Sequence, residues 1–257
     1  MSRSRTTTPQ DDVNIDYVDN GYAPHLQELH AQMLPGNALR QAPETVLADL
    51  TEDAFAVEVK RVNGSITYAT GVDIPQEVEA EQYDTMDNLT ALLADDRYAI
   101  ARMSVFCDSY FVRAYPDAAL RVESGSFWYD AASMAWLDPS HPQTLVYITS
   151  LCQEYAQLGF DEILLTDCGF PTQGDLDSLR AVEEKEETLE TFCRQLQGAL
   201  ADTPVTLSVM GQRDSVTADP VSGQTTALLA TFGRVWTQAE DQETLAAFDP
   251  VVLPAVS

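Results

Sequence analysis

The sequence predicts an α/β protein: a TIM-barrel-like (β/α)8 fold, incomplete, with six to seven recognisable strands. Three observations predict it. From about Thr45 onward, short apolar or β-branched runs alternate with segments of helical periodicity, the rhythm of parallel βα units and not of a sandwich. Six predicted strands, near residues 57, 102, 164, 207, 235 and 252, follow one another at barrel spacing, whereas a closed barrel needs eight. Finally, 45% hydrophobic and 9% aromatic residues over 257 positions can bury one large core despite a formal charge of −27.

The elements follow in order. Residues 1–44 read as an irregular N-terminal segment, and residues 45–257 as the barrel. Within the first segment, Pro24 to Leu34 has the pattern of a short helix ended by Pro35-Gly36, and the segment is a possible source of a seventh strand. Ala54 to Lys60 alternates as a strand, Asn63-Gly64 makes a turn, and Ser65 to Ala69 returns as a second short strand. Thr85 to Asp96 carries Met86, Leu89, Leu92 and Leu93 at helical spacing. Tyr98 to Phe106 is a strand, followed by a long aromatic loop from Ser109 to Pro142.

Gln143 to Leu158 is a helix with Gly159 as its C-cap, and Asp161 to Thr166 a buried strand. Asp175 to Leu200 reads as one long amphipathic helix whose acidic run, Ala181 to Glu190, is a solvated face. Pro204 to Met210 is a strand, Gln224 to Thr231 a helix, Arg234 to Thr237 a strand, Glu240 to Phe248 a short helix and Val251 to Leu253 a last strand.

The charge excludes several functions. With 14 Lys+Arg against 41 Asp+Glu, the chain has little with which to neutralise a phosphate backbone or an anionic bilayer, so nucleic acid and membrane surfaces are not expected partners. No apolar run approaches the roughly 20 residues that span a bilayer, and Met1 to Gln10 has no apolar core of a secretory signal. The cytoplasm is therefore the expected compartment, although a chain beginning MSRSR and ending at Val256-Ser257 is also compatible with a piece of a longer gene. Cys107, Cys152, Cys168 and Cys193 are expected to be reduced thiols. They show no metal-ligand spacing, nor do His25, His30 and His141. There is no glycine-rich phosphate loop, so no metal or cofactor is expected. The composition says nothing of the oligomeric state.

In parallel βα architecture, chemistry gathers at the C-terminal ends of strands. Glu58 and Lys60 end the first predicted strand. Arg102 lies in the second, with Asp108 just after it. Asp167 follows the dry run Ile163-Leu164-Leu165, which suits it to nucleophilic or acid–base work; a helix-capping or ion-paired aspartate is the structural alternative. Ser208 lies near the end of the fourth, with Gln212, Arg213 and Asp214 beyond. Asp161 and Glu162, at the start of their strand, fall on the stability face. In the long loop, Trp128, Tyr129, Trp136, Asp138 and His141 could either stack on sugar rings or form a satellite apolar cluster.

The segments AFAVEVKRVNGSITYAT, YAIARMSVFCDSYF, the loop ending WLDP and above all LGFDEILLTDCGFP resemble a family of bacterial glycoside-hydrolase-like TIM-barrel domains, long known as a domain of unknown function. The resemblance is collinear from about Thr45 to the C-terminus. It implies a barrel acting on glycosidic bonds of poly- or oligosaccharides through a carboxylate pair centred on Asp167, with Asp108 or Glu58 as partner. Together with the strand-end and loop positions above, this makes Lys60, Arg102, Arg213 and Asp214 the expected substrate contacts, with Trp128, Trp136 and Asp138 at the sugar. The chain departs from the family pattern: Cys168 replaces a tyrosine, Gly169 stands near an expected arginine, and Ser208 replaces an expected carboxylate. Serine cannot protonate a leaving glycosidic oxygen at neutral pH, so a divergent, non-catalytic barrel that binds carbohydrate or a protein is the alternative reading.

Overall fold

The computed structural model describes residues 29–74 and 85–254. Seven parallel strands form one sheet in chain order, curling as an incomplete barrel with helices outside. They are β1 (Ala31–Met33), β2 (Ala54–Lys60), β3 (Tyr98–Ser104), β4 (Glu162–Thr166), β5 (Thr206–Met210), β6 (Arg234–Thr237) and β7 (Val251–Val252). The helices are α1 (Pro43–Ala48), α2 (Met86–Leu93), α3 (Ser109–Ala114), α4 (Pro142–Leu158), α5 (Lys185–Leu200) and α6 (Thr226–Leu229).

Strand alternation divides the core in two. Phe55, Val57, Ala101, Met103, Ile163, Leu165 and Val209 face outward and pack with the helices. The residues between them, Ala54, Ala56, Ile100, Leu164, Met210 and Trp236, form a separate, smaller interior cluster. That period of two is why the strands were readable, since each carries apolar side chains on both faces. The long α4 is likewise as predicted, closed by Gly159 in the left-handed conformation at φ 97°.

Several elements differ from the sequence reading. The predicted helix ending at Leu34 is instead the short strand β1, paired in parallel with β2 from Ala31↔Ala54 to Met33↔Ala56; Pro24 to Glu28 lie outside the described residues. Ser65 to Ala69 contributes only the bridge Lys60↔Ile66. The long helix predicted from Asp175 begins only at Lys185, after a 3-10 turn at Leu176–Ser178 and a left-handed Glu184. Leu176, Leu179 and Val182 pack on the core from an irregular segment, so their near-helical spacing misled the reading. The predicted helices at Gln224 to Thr231 and Glu240 to Phe248 shrink to the four residues of α6 and to two 3-10 turns. Among the described residues no helix is long and apolar enough to cross a membrane.

Candidate active site at the barrel mouth

Hydrogen-bond register lays one row of side chains across the barrel: Glu58↔Arg102↔Leu164↔Ser208↔Arg234. These positions continue the alternation of the interior cluster, so the row lines the inside of the barrel, among the apolar side chains of that cluster. Arg102 Nη1 donates to Glu58 Oε1 at 3.0 Å, and Arg61 Nε lies 3.4 Å from Glu58 Oε2. Glu58 is thus a half-buried carboxylate between two guanidiniums. Ser208 is buried and its hydroxyl donates to the Ile163 carbonyl at 3.3 Å.

Two residues before Leu164 on β4, Glu162 is fully buried and accepts from Arg234 Nε (3.1 Å), Trp236 Nε1 (2.7 Å) and the Tyr98 hydroxyl (3.1 Å). Its oxygens are occupied by barrel-spanning donors. This is the structural duty expected of a residue at the N-terminal end of its strand.

Asp167 follows β4 directly. It is half-buried and adopts φ 50°, one of four non-glycine residues with positive φ among those described. Aspartate tolerates this region better than most residues, yet such outliers concentrate at functional sites. The Thr166 hydroxyl approaches Asp167 Oδ2 at 3.4 Å, and no ion pair reaches the carboxylate among the described residues. Burial first, and then the charges of Asp167 and Asp130, push the neighbouring Cys107 thiol up. Both carboxylates therefore lie within electrostatic reach of Cys107, just past the end of β3.

Asp130 was missed in the sequence because it lies mid-loop with no strand to announce it. Its Oδ2 accepts from Trp136 Nε1 at 2.9 Å, and its Oδ1 accepts from the backbone N–H groups of Ala132 and Met134.

Other predicted site residues do not face this cleft. Lys60 and Asp108 form an ion pair at 2.9 Å with both side chains fully buried. A register shift between Glu58 and Lys60 re-aims the lysine. Its ammonium then lies 5.7 Å from the centroid of the Tyr147 ring on α4 and donates to the Ser104 carbonyl at 2.7 Å. Asp108 caps α3, accepting from Phe111 N–H at 2.7 Å. Closed to solvent and committed to these contacts, neither can touch a substrate in this conformation.

Trp128 is 1% exposed and donates to the Asp175 carbonyl, and Trp136 is 9% exposed, so the platforms expected of both indoles are packed away under the loop. Tyr129, 51% exposed, and Tyr115, 39% exposed, are the most open aromatics of this loop. Asp138 closes a turn through Ser140. Asp214 accepts both the backbone N–H and the hydroxyl of Ser222, tying one loop together. Arg213 is largely exposed and faces Asp241 at 3.7 Å. Among the described residues, no three His, Cys, Asp or Glu side chains converge as a metal site would need.

A family model described as "Putative glycosyl hydrolase domain" matches residues 37–232. Among solved structures, a hypothetical protein from Ruminiclostridium thermocellum is similar with a TM-score of 0.58 at 21% identity, covering 69% of this chain and 96% of its own. Ega3 from Aspergillus fumigatus, solved with galactosamine, gives 0.54 at 10% identity, covering 87% of this chain and 74% of its own. Alpha-L-fucosidase isoenzyme 2 from Paenibacillus thiaminolyticus gives 0.54 at 12% identity, with 80% of this chain and 35% of that enzyme covered. At such identities the likeness is one of fold. No curated protein matches the sequence. Since the family model spans most of the chain, from the residue before the first 3-10 turn to the one before Gly233, the chain belongs to this glycosyl hydrolase domain family.

Proposed function

We propose that this glycoside-hydrolase-like barrel cleaves glycosidic bonds of a poly- or oligosaccharide, with Asp167 as the central carboxylate. The observation that carries the proposal is Asp167 itself: a part-exposed carboxylate with no ion-pair partner among the described residues, in the left-handed region, at the C-terminal end of a buried strand. Two-carboxylate hydrolysis needs a partner about 5–5.5 Å away for retention or about 6.5–9.5 Å for inversion. Glu58 is our first candidate, held by Arg102 and Arg61; its strand lies two positions from β4, a backbone separation of roughly 10 Å. Asp130 is the second candidate. Asp108 and Lys60 brace the ends of the neighbouring strands, Arg102 orients substrate hydroxyls, and Tyr129 offers the sugar-stacking face. With Lys60 buried and Arg213 turned to Asp241, a neutral glycan suits this acidic chain better than an anionic one.

The test is hydrolysis of a glycan panel by the wild type and by Asp167→Asn. Loss of a carboxylate in acid–base catalysis costs on the order of 10²–10⁴-fold, and Asn keeps the shape and the backbone preference. Unchanged turnover in Asp167→Asn would remove the proposal. Glu58→Gln and Asp130→Asn then identify the partner.

One observation favours a second reading. Ser208, where the family resemblance expects a carboxylate, is sealed inside the barrel on a backbone carbonyl. A non-catalytic carbohydrate-binding barrel would show glycan binding by calorimetry with no turnover on the same panel.

A further inference from the structure

The β4–β5 ladder ends at Leu165↔Val209. Beyond that rung one side chain joins the two strands in place of their own backbones. Gln224, which directly precedes the N-cap of α6, is fully buried. Its Nε2 donates to the Cys168 carbonyl at 2.8 Å and to the Met210 carbonyl at 3.1 Å. Its Oε1 accepts from Gln212 N–H at 2.8 Å and from the Ser215 hydroxyl at 3.2 Å. The partners fix which way the amide points, because carbonyls can only accept and a backbone N–H can only donate. An amide satisfied in this way is costly to remove, since its loss strands the carbonyls of two buried residues.

What these bonds hold is the segment that follows Asp167. Cys168 is the next residue, and Asp167 leaves the strand at φ 50°, a conformation that persists where the surroundings over-determine it. Restraints come from two sides. On the β3 side, Val105 N–H donates to the Thr166 carbonyl at 2.9 Å and Phe106 N–H to the Asp167 carbonyl at 3.3 Å. On the β5 side, Gln224 holds the Cys168 carbonyl, and Phe170 N–H donates to the Ser222 carbonyl at 2.7 Å. Gly169, between them, packs so closely that a Cβ there would lie 3.0 Å from the Ser222 carbonyl oxygen and 3.7 Å from Gln224 Cγ. Ser222 is fixed in turn, its N–H and hydroxyl both donating to Asp214.

We infer that Gln224 is a positioning residue for Asp167: its amide clamps the chain one residue after the carboxylate and so sets where that carboxylate stands at the barrel mouth. The clamp itself is geometry, whereas its catalytic consequence rests on the hydrolase reading above. A misplacement of about 1 Å at a reacting group can cost on the order of 10²-fold in rate. Such a shift spoils the transition state more than the binding of the ground-state sugar.

The test compares Gln224→Met, which keeps the length of the side chain and removes all four hydrogen bonds, with Leu92→Ala, a truncation of the buried core on α2. The first readout needs no substrate: native-state modification of Cys168 by an aromatic disulfide at pH 8, followed by peptide mass mapping. We expect modification about tenfold faster in Gln224→Met than in the wild type, and a smaller rise in Leu92→Ala. The second readout is steady-state hydrolysis of a glycan that the wild type cleaves. There kcat of Gln224→Met should fall on the order of 10–10²-fold with KM within about twofold, while Leu92→Ala, assayed below its unfolding temperature, keeps both. Unchanged Cys168 reactivity in Gln224→Met would overturn the inference. So would raised reactivity with kcat retained, since the amide would then hold Cys168 without setting Asp167. A wild type that cleaves nothing removes the hydrolase reading alone, and the thiol rates still decide the clamp. If Gln224→Met does not fold, Gly169→Ala, which presses on the same segment from the Ser222 side, decides on the same two readouts.

Discussion

Lys60 and Asp108 face each other at 2.9 Å with both side chains closed to solvent, one carried by the last residue of β2 and the other by the N-cap of α3. The pair joins the end of β2 to the start of the segment that follows β3. Gly64 makes room for the carboxylate: at φ 96° any Cβ there would collide with the Asp108 oxygens. Losing one member of a buried pair leaves an uncompensated charge and typically costs about 3–5 kcal/mol. Asp108→Ala should therefore lower the urea-unfolding free energy by that order and also lose a helix cap. Lys60→Met/Asp108→Asn, which removes both charges and keeps the cap, should lose clearly less than the two single changes combined. A cost for Asp108→Ala below about 1 kcal/mol, the range of an exposed pair, would contradict the burial.

Asp167 supplies the second prediction. A left-handed backbone costs an ordinary L-residue roughly 1–2 kcal/mol, and a β-branched one fits it worst. At φ 50°, Asp167→Asn should leave stability nearly unchanged, and Asp167→Val should lose about 1–2 kcal/mol. Thermal unfolding of both variants, read beside the hydrolysis assay, separates the two roles of the position. If Asn proves as destabilising as Val, the backbone there is not left-handed in solution.

The strands were legible where each carries apolar side chains toward both the interior and the helices, as in Ile163-Leu164-Leu165. β1 was not, because three residues reading Ala-Gln-Met carry too little pattern, and what makes them a strand is the edge of β2 beside them. Asp167 could be singled out because a lone carboxylate after a dry strand stands out in one dimension. The fate of Lys60 could not: strict alternation would aim it into the barrel, and only a register shift against β3 turns it under α4. Trp128 and Trp136 fell to the blander of their two readings for a similar reason. A loop that folds over its own indoles shows the same residues as one that displays them.

The four cysteines give the third prediction. All are free and buried. Burial pushes the Cys152 thiol up; at Cys168 the contact with the Cys193 thiol is the largest cause, with burial next. The Cys168 and Cys193 sulfurs lie 3.9 Å apart in a thiol–thiol hydrogen bond and form no disulfide. Because the thiolate is the reactive form, a disulfide reagent at pH 8 should modify the native protein slowly and all four thiols rapidly in denaturant. Rapid native reaction at Cys168 would show that the segment after Asp167 opens readily.

Asp161 gives a pH dependence whose sign is opposite to that of an ordinary paired carboxylate. Desolvation is the largest influence on it, opposed by the hydrogen bond from Ala99 N–H and reinforced by the charge of Glu162, and the carboxyl is held above its usual value of 3.8. A folded-state value above the unfolded one means that folding favours the protonated form. Its favourable contribution is fully present below the unfolded value and is lost as pH rises through the folded one. At neutral pH the ionised Asp161 is thus a cost that the fold tolerates. Asn at this position keeps an oxygen for the Ala99 N–H, which Asp161 Oδ2 accepts at 2.8 Å, and removes the charge. Asp161→Asn should therefore be more stable than the wild type at pH 7, with the advantage shrinking as pH falls and vanishing where the wild-type carboxyl is protonated in both states. Denaturant midpoints at pH 7, 5 and 3.5 for the two proteins provide the measurement. An advantage that is flat across this range, or that grows toward acid, would mean that Asp161 is not held in its protonated-favouring environment.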